Sequence, residues 1–89
     1  LPYNFYFMNW FVYILKCKDG TLYTGITNNI KKRIKAHKEG KGAKYTKGRG
    51  PFELIFEEKC LDKSSALKRE AVIKQLRRED KLTLSQEFK

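Results

Sequence analysis

Two short runs of strand-forming residues flank Lys18-Asp19-Gly20, and this arrangement constrains the fold more than any other feature of the chain. Asn9 to Cys17 (NWFVYILKC) is dense in aromatic and β-branched residues, and Thr21 to Ile26 (TLYTGI) is a second, shorter run of the same kind. Together they read as a β-hairpin. Loop length decides what faces what. A two-residue loop, Asp19-Gly20, sets Tyr13 opposite Ile26 and puts Tyr13 and Tyr23 on opposite faces. A three-residue loop, Lys18-Asp19-Gly20, sets Leu15 opposite Tyr23 and puts both tyrosines on one face. A three-residue hairpin loop ends on a left-handed residue, and Gly20 supplies one without a Cβ clash, so this loop is expected.

Downstream, Asn28 and Asn29 precede Ile30, and Asn29 is the expected N-cap of a helix over Ile30 to Lys38 that ends near Gly40. Residues 40–51 carry Gly40, Gly42, Gly48 and Gly50, close on Pro51, and read as a basic, mobile loop. Phe52 to Glu58 (FELIFEE) alternates as a third strand, with Phe52, Leu54 and Phe56 on one face. Asp62 opens a second helix that is expected to run to about Arg78, and Leu82 and Leu84 suggest a short final helix or docked tail. The order is ββαβα. That is an α+β chain, a small antiparallel or mixed sheet with helices on it.

Eighty-nine residues allow one domain, expected over residues 8–84, because halving the chain leaves pieces too small to bury a core. With 40% hydrophobic residues the chain is not of the disordered class, and no apolar run reaches membrane-spanning length. Cys17 and Cys60 have neither a disulfide-framework nor a metal-ligand spacing, and each sits in an apolar context as a free thiol. With no signal peptide in view, a reducing cytoplasm is the expected compartment. Residues 1–7 (LPYNFYF) read as a start-site extension or tag ahead of Met8, and residues 85–89 as a tail.

The formal charge is +10, and eight of those ten charges lie within residues 31–49. A block of one sign in so short a stretch is an electrostatic footprint for a polyanion. The block lacks the broad apolar face of a membrane-lying helix, so nucleic acid rather than a membrane is the expected partner.

Wheel positions then point to chemistry. On the second helix Ala66, Ile73, Leu76, Val72 and Leu67 define an apolar arc, and Glu70 falls inside it, bordered by Lys74 and Arg77. A carboxylate facing a core costs several kcal/mol unless it finds a partner or a metal. An i, i+4 ion pair with Lys74 is one answer and a functional site is the other. On the first helix Arg33 and His37, four apart, flank the stripe of Ile30 and Ile34. His37, the single histidine, taken alone reads as a packed side chain. A candidate site therefore contains Tyr13, Tyr23, Arg33, His37 and Glu70. Phosphodiester hydrolysis wants a divalent metal on hard oxygens, a proton acceptor for water and a cation on the phosphate oxygens. Strand tyrosines are common for packing reasons alone, which is the plain alternative for Tyr13 and Tyr23.

These residues resemble a known family. Val12-Tyr13-Ile14, followed ten residues on by Tyr23-Thr24-Gly25, looks like a relaxed form of the GIY-YIG nuclease motif pair. Asn29-Ile30-Lys31-Lys32-Arg33-Ile34 resembles its Arg-bearing helix, His37 falls where members carry His or Tyr, and Glu70 in Ala66-Leu67-Lys68-Arg69-Glu70-Ala71 resembles its carboxylate. Lys44-Tyr45-Thr46, then Arg49-Gly50-Pro51-Phe52, resembles the loop of small stand-alone bacterial members and of related structure-specific endonuclease subunits. Each motif alone is weak, but the ordered set over residues 10–80 is specific. Phe11-Val12-Tyr13 stands in place of Gly-Ile-Tyr, and Thr24 stands where Ile is usual.

The resemblance implies a three-stranded antiparallel sheet flanked by helices and Mg²⁺-dependent cleavage of DNA, with Mn²⁺ as an alternative ion. In that reading Tyr13 or Tyr23 activates water, Arg33 holds the phosphate and Glu70 the metal. Lys31, Lys32, Lys35, Lys44, Tyr45, Lys47, Arg49 and Lys74 are the expected nucleic-acid contacts, and Gly20, Gly25 and Asn29 the structural positions. Family members often take substrate choice from an attached domain, and none is expected here. Phosphate contacts give affinity without sequence readout, so structure-selective cleavage in DNA repair or recombination is expected, on branched, damaged or single-stranded DNA. RNA stays open as a substrate, and so does a protein partner supplying the target. The alternatives are a non-catalytic nucleic-acid-binding module of the same fold and a subunit active only within a complex.

Overall fold

In the computed structural model, which describes residues 9–88, β1 (Trp10–Lys16) and β2 (Leu22–Thr27) are followed by α1 (Ile30–Lys38), β3 (Glu53–Cys60), α2 (Lys63–Gln75) and α3 (Arg78–Phe88). The sheet is antiparallel in the order β2-β1-β3. The start-site reading of residues 1–7 and Met8 lies outside the described residues. Among the described residues no helix is long and apolar enough to cross a membrane.

The central position of β1 explains its composition. Val12, Tyr13, Ile14 and Leu15 are all buried, because both faces of the strand are covered and alternation with polar residues has no use there. Val12 and Ile14 meet Ile55, Phe56 and Ile73 in the main core, with Leu22, Ile26, Leu82 and Leu84 packed against it. Tyr13 and Leu15 point to the other face.

The hairpin has the three-residue loop. Leu15 pairs with Tyr23, Cys17 N donates to Thr21 O, and Gly20 takes φ +85°, where a side chain would be strained. Asp19 closes the tip by accepting from Thr21 N and Oγ1 at 3.1 and 2.7 Å. Asn29 caps α1 by accepting from Lys32 N, and Asp62 caps α2 by accepting from Ser65 N. Cys17 and Cys60 are free.

Five expectations are corrected. In β3, Ile14 pairs with Phe56 and Leu15 with Leu54, so Ile55 is a bulge. The bulge reverses the alternation. Phe52 approaches His37, while Phe56 turns to the opposite core and meets Phe88 edge-on at 6.1 Å. The second helix ends at Gln75 rather than near Arg78. Leu76 is extended, and the turn brings Leu82 and Leu84 back onto the core, with Glu79 and Asp80 in the favoured first turn of α3. The final helix then continues through residues 85–88 instead of leaving them as a tail. The apolar arc of α2 is also narrower than its wheel, since Ala66 and Ile73 are buried while Leu67 and Val72 are exposed. Finally, residues 40–51 are tied down rather than loose. Thr46 is buried, Lys18 N donates to Arg49 O, and Arg49 reaches both Asp19 and Tyr45 O.

Candidate active site

Tyr13 and Tyr23 share a face because the three-residue loop sets the register, and their ring centroids lie 6.3 Å apart. Gly25, paired with Tyr13 across the strands, makes the arrangement possible. A Cβ there would stand 2.7 Å from the Tyr13 hydroxyl and 3.0 Å from the Tyr23 ring. The glycine in this strand marks a close approach, not flexibility.

From α1, His37 is 1% exposed and meets both rings, with centroids 5.9 Å from Tyr13 and 5.3 Å from Tyr23. Its Nε2 lies 2.8 Å from the Tyr13 hydroxyl, and its Nδ1 lies 2.7 Å from Thr46 Oγ1. The Thr46 hydroxyl donates to Ala43 O at 3.1 Å. One proton arrangement satisfies all three bonds. Thr46 has given its proton to the carbonyl, so it accepts from Nδ1–H. Nε2 is then the lone-pair nitrogen, and Tyr13 donates to it. Burial and the positive charge of Arg33 hold His37 below the ordinary imidazole value, which keeps it neutral and accepting. Burial first, then Tyr23 and Glu70, push the Tyr13 phenol well above its usual range, with Arg33 opposing them. A free Tyr13 phenolate is therefore disfavoured.

The Arg33 guanidinium donates to O of Gly42 at 3.2 Å, and Gly42 packs against His37. The Arg33 charge acts on both Tyr13 and His37. Glu70 comes from α2, its side chain 18% exposed, with Lys74 Nζ 3.5 Å from its carboxylate. Glu70 thus has the i, i+4 partner the sequence offers, and its charge also acts on Tyr13. Electrostatics and contacts bring Tyr13, Tyr23, Arg33, His37 and Glu70 into one neighbourhood.

The surrounding basic residues divide. Lys31, Lys32 and Lys35 on α1 and Lys44 and Lys47 in the loop are exposed, as is Lys74. Arg49 is committed within the fold. It pairs with Asp19 at 2.6 Å, donates to Tyr45 O and lies 4.6 Å over the Tyr45 ring. Tyr45 in turn stacks on Tyr23 at 6.0 Å. Arg49 therefore positions Tyr45, where the sequence offered it as a direct contact. Sequence reasoning missed the role of Thr46. Its signal was a lone aliphatic hydroxyl in a loop of glycines and lysines, inside a motif noted for its family likeness.

Among the described residues no group of three His, Cys, Asp or Glu side chains could enclose a metal. A divalent ion here would rest on Glu70, keep most of its waters and be completed by substrate phosphate, which is how Mg²⁺ is commonly held. The donor chemistry of Glu70, a hard and largely buried carboxylate oxygen, fits such an ion.

Residues 9–83 match the GIY-YIG catalytic domain. A UPF0213 protein of Oceanobacillus iheyensis is 55% identical over 74 residues, which cover 83% of this chain and 86% of that one. A UPF0213 protein of Staphylococcus epidermidis is 53% identical over 77 residues, covering 86% of this chain and 94% of its own. The solution structure of a UPF0213 protein from Bacillus halodurans superposes with a TM-score of 0.55 at 51% identity, over 86% of this chain and 82% of that one. The paired tyrosines, the helix-borne arginine and the α2 carboxylate thus sit on a nuclease-type fold, and the chain belongs to the GIY-YIG family.

Proposed function

We propose that this protein is a metal-dependent DNA endonuclease that hydrolyses phosphodiesters and selects its target by structure rather than by sequence. One observation carries the reading: the Tyr13 hydroxyl donates to a buried, neutral His37 whose tautomer is held by Thr46.

That geometry supports Tyr13, not Tyr23, as the proton acceptor. Its own proton already points at Nε2, so its oxygen lone pairs are free for a water. As the water attacks phosphorus, its proton passes to the Tyr13 oxygen while the Tyr13 proton passes to His37. The products are a neutral tyrosine and an imidazolium, and no free phenolate is formed. This route suits a phenol that burial makes hard to ionise. Arg33 faces the charge growing on the phosphate oxygens, and Tyr23 packs beside the acceptor to orient the water. Glu70 would hold the divalent metal, which supplies Lewis-acid stabilisation of the phosphate and the leaving oxygen. Exposed Lys31, Lys32, Lys35, Lys44 and Lys47 grip the backbone without reading bases, which supports structural selectivity. A role in DNA repair or recombination follows from that selectivity.

The test is a panel of flap, junction, nicked, duplex and single-stranded DNA, incubated with Mg²⁺, Mn²⁺ or chelator. Wild type is expected to cut with metal, and Glu70→Ala and Arg33→Ala to bind without cutting. If wild type binds every substrate and cuts none, the fold serves as a non-catalytic binding module and this proposal is wrong.

A further inference from the structure

β2 is one of the two edge strands of the sheet, and it borders a cleft of about 370 Å³ lined by Leu22, Tyr23, Thr24, Tyr45, Lys74 and Lys81. Its lining holds two cations from two helices and no carboxylate. Its aromatic wall is fixed in place: Tyr45 stacks on Tyr23 with planes 21° apart, and Arg49 braces the ring from the loop side. Tyr45 still leaves 46% of its surface exposed.

We propose that this cleft takes one unpaired nucleotide of the substrate, its phosphate between Lys74 and Lys81 and its base against Tyr45. The volume lies at the lower end of small-ligand pockets, about 300–1,000 Å³, so it suits one nucleotide and not a base pair. An exposed aromatic surface beside a cationic wall is the general chemistry of single-strand binding. The cleft also abuts the candidate site on two sides. Tyr23 separates it from Tyr13 and His37, and Lys74 separates it from Glu70, at 3.5 Å. A nucleotide seated here is thus a neighbour of the phosphate to be cut. A base inside a duplex cannot enter, which makes an unpaired strand the feature selected. The inference rests on the nuclease reading above and names the substrate class of that site.

Binding of labelled oligothymidylate, and of a duplex of equal length, is measured by fluorescence anisotropy in chelator, so that cleavage plays no part. Tyr45→Ala and Lys81→Ala are each expected to weaken oligothymidylate binding about tenfold more than duplex binding, and Tyr45→Phe to retain it. Equal losses on both ligands, or no loss from Lys81→Ala, would overturn the cleft assignment whether or not the protein cuts DNA. Conversely, a selective loss in a protein that cuts nothing keeps the cleft as a nucleotide site and removes the nuclease reading instead.

Discussion

Thr46→Val tests the relay most sharply, because it removes one oxygen and little volume. Thr46 is 1% exposed, and its hydroxyl serves two partners: it accepts from His37 Nδ1 at 2.7 Å and donates to Ala43 O at 3.1 Å. Valine leaves the Nδ1–H buried with no acceptor, at a cost of about 1–3 kcal/mol. The imidazole can escape by moving its proton to Nε2, but there the proton faces Tyr13 and reverses the direction of that bond. The penalty therefore falls either on stability or on the population of the competent tautomer. One to three kcal/mol in that population lowers the cleavage rate by about 5- to 160-fold.

The pH profile separates this mechanism from general loosening. The imidazolium formed in the relay donates from Nδ1 to Thr46, so without the hydroxyl His37 is a weaker base. In wild type the acid limb of kcat/KM should lie below pH 6.5, since His37 is held under its ordinary value of 6.5. In Thr46→Val that limb should move to still lower pH while the plateau falls. Thr46→Ser, which keeps the oxygen, should recover most of the rate. The relay is refuted by a Thr46→Val protein with wild-type rate and profile, or by a serine variant as impaired as the valine one.

His37 also links folding to pH. Its folded-state value is lowered, so the unfolded chain binds more protons below about pH 6.5, and stability present above that value is lost as pH falls. Urea midpoints at pH 7.5 and 5.5 should show this, and His37→Gln should flatten the difference; an undiminished slope in the variant assigns it elsewhere. Gly25→Ala should lower stability by about 1–3 kcal/mol and remove activity, because its Cβ would sit 2.7 Å from the Tyr13 hydroxyl; thermal unfolding at or above the wild-type midpoint would contradict this. Arg49→Ala should leave the thermal midpoint nearly unchanged, since the Asp19 pair is exposed, yet speed proteolysis within residues 40–51. An unchanged cleavage pattern would mean that the loop is held by Thr46 alone.

How far the sequence carried the site depended on whether a position was set by local chemistry or by convergence. The hairpin register was legible because Gly20 has a local reason to end a three-residue loop, and the register alone places Tyr13 beside Tyr23. The starts of α1 and α2 were legible because Asn29 and Asp62 are chemical caps. The end of α2 was not, because no glycine or proline marks Leu76; the turn there is set by the distant burial of Leu82 and Leu84. The Ile55 bulge was equally hidden, since FELIFEE alternates well and only pairing with β1 shows the extra residue. Thr46 is the most instructive case. Its spacing from His37 has no helical or strand period, and it acts only because the loop folds back over α1. Glu70 lies between these extremes. The wheel puts it inside the apolar arc, and the structure supplies the ion pair with Lys74 there. Lys74 gives the carboxylate an ion-pair partner in a largely buried place, and a hard oxygen ligand is what a divalent metal takes, so the structural pair and the proposed metal role draw on the same group.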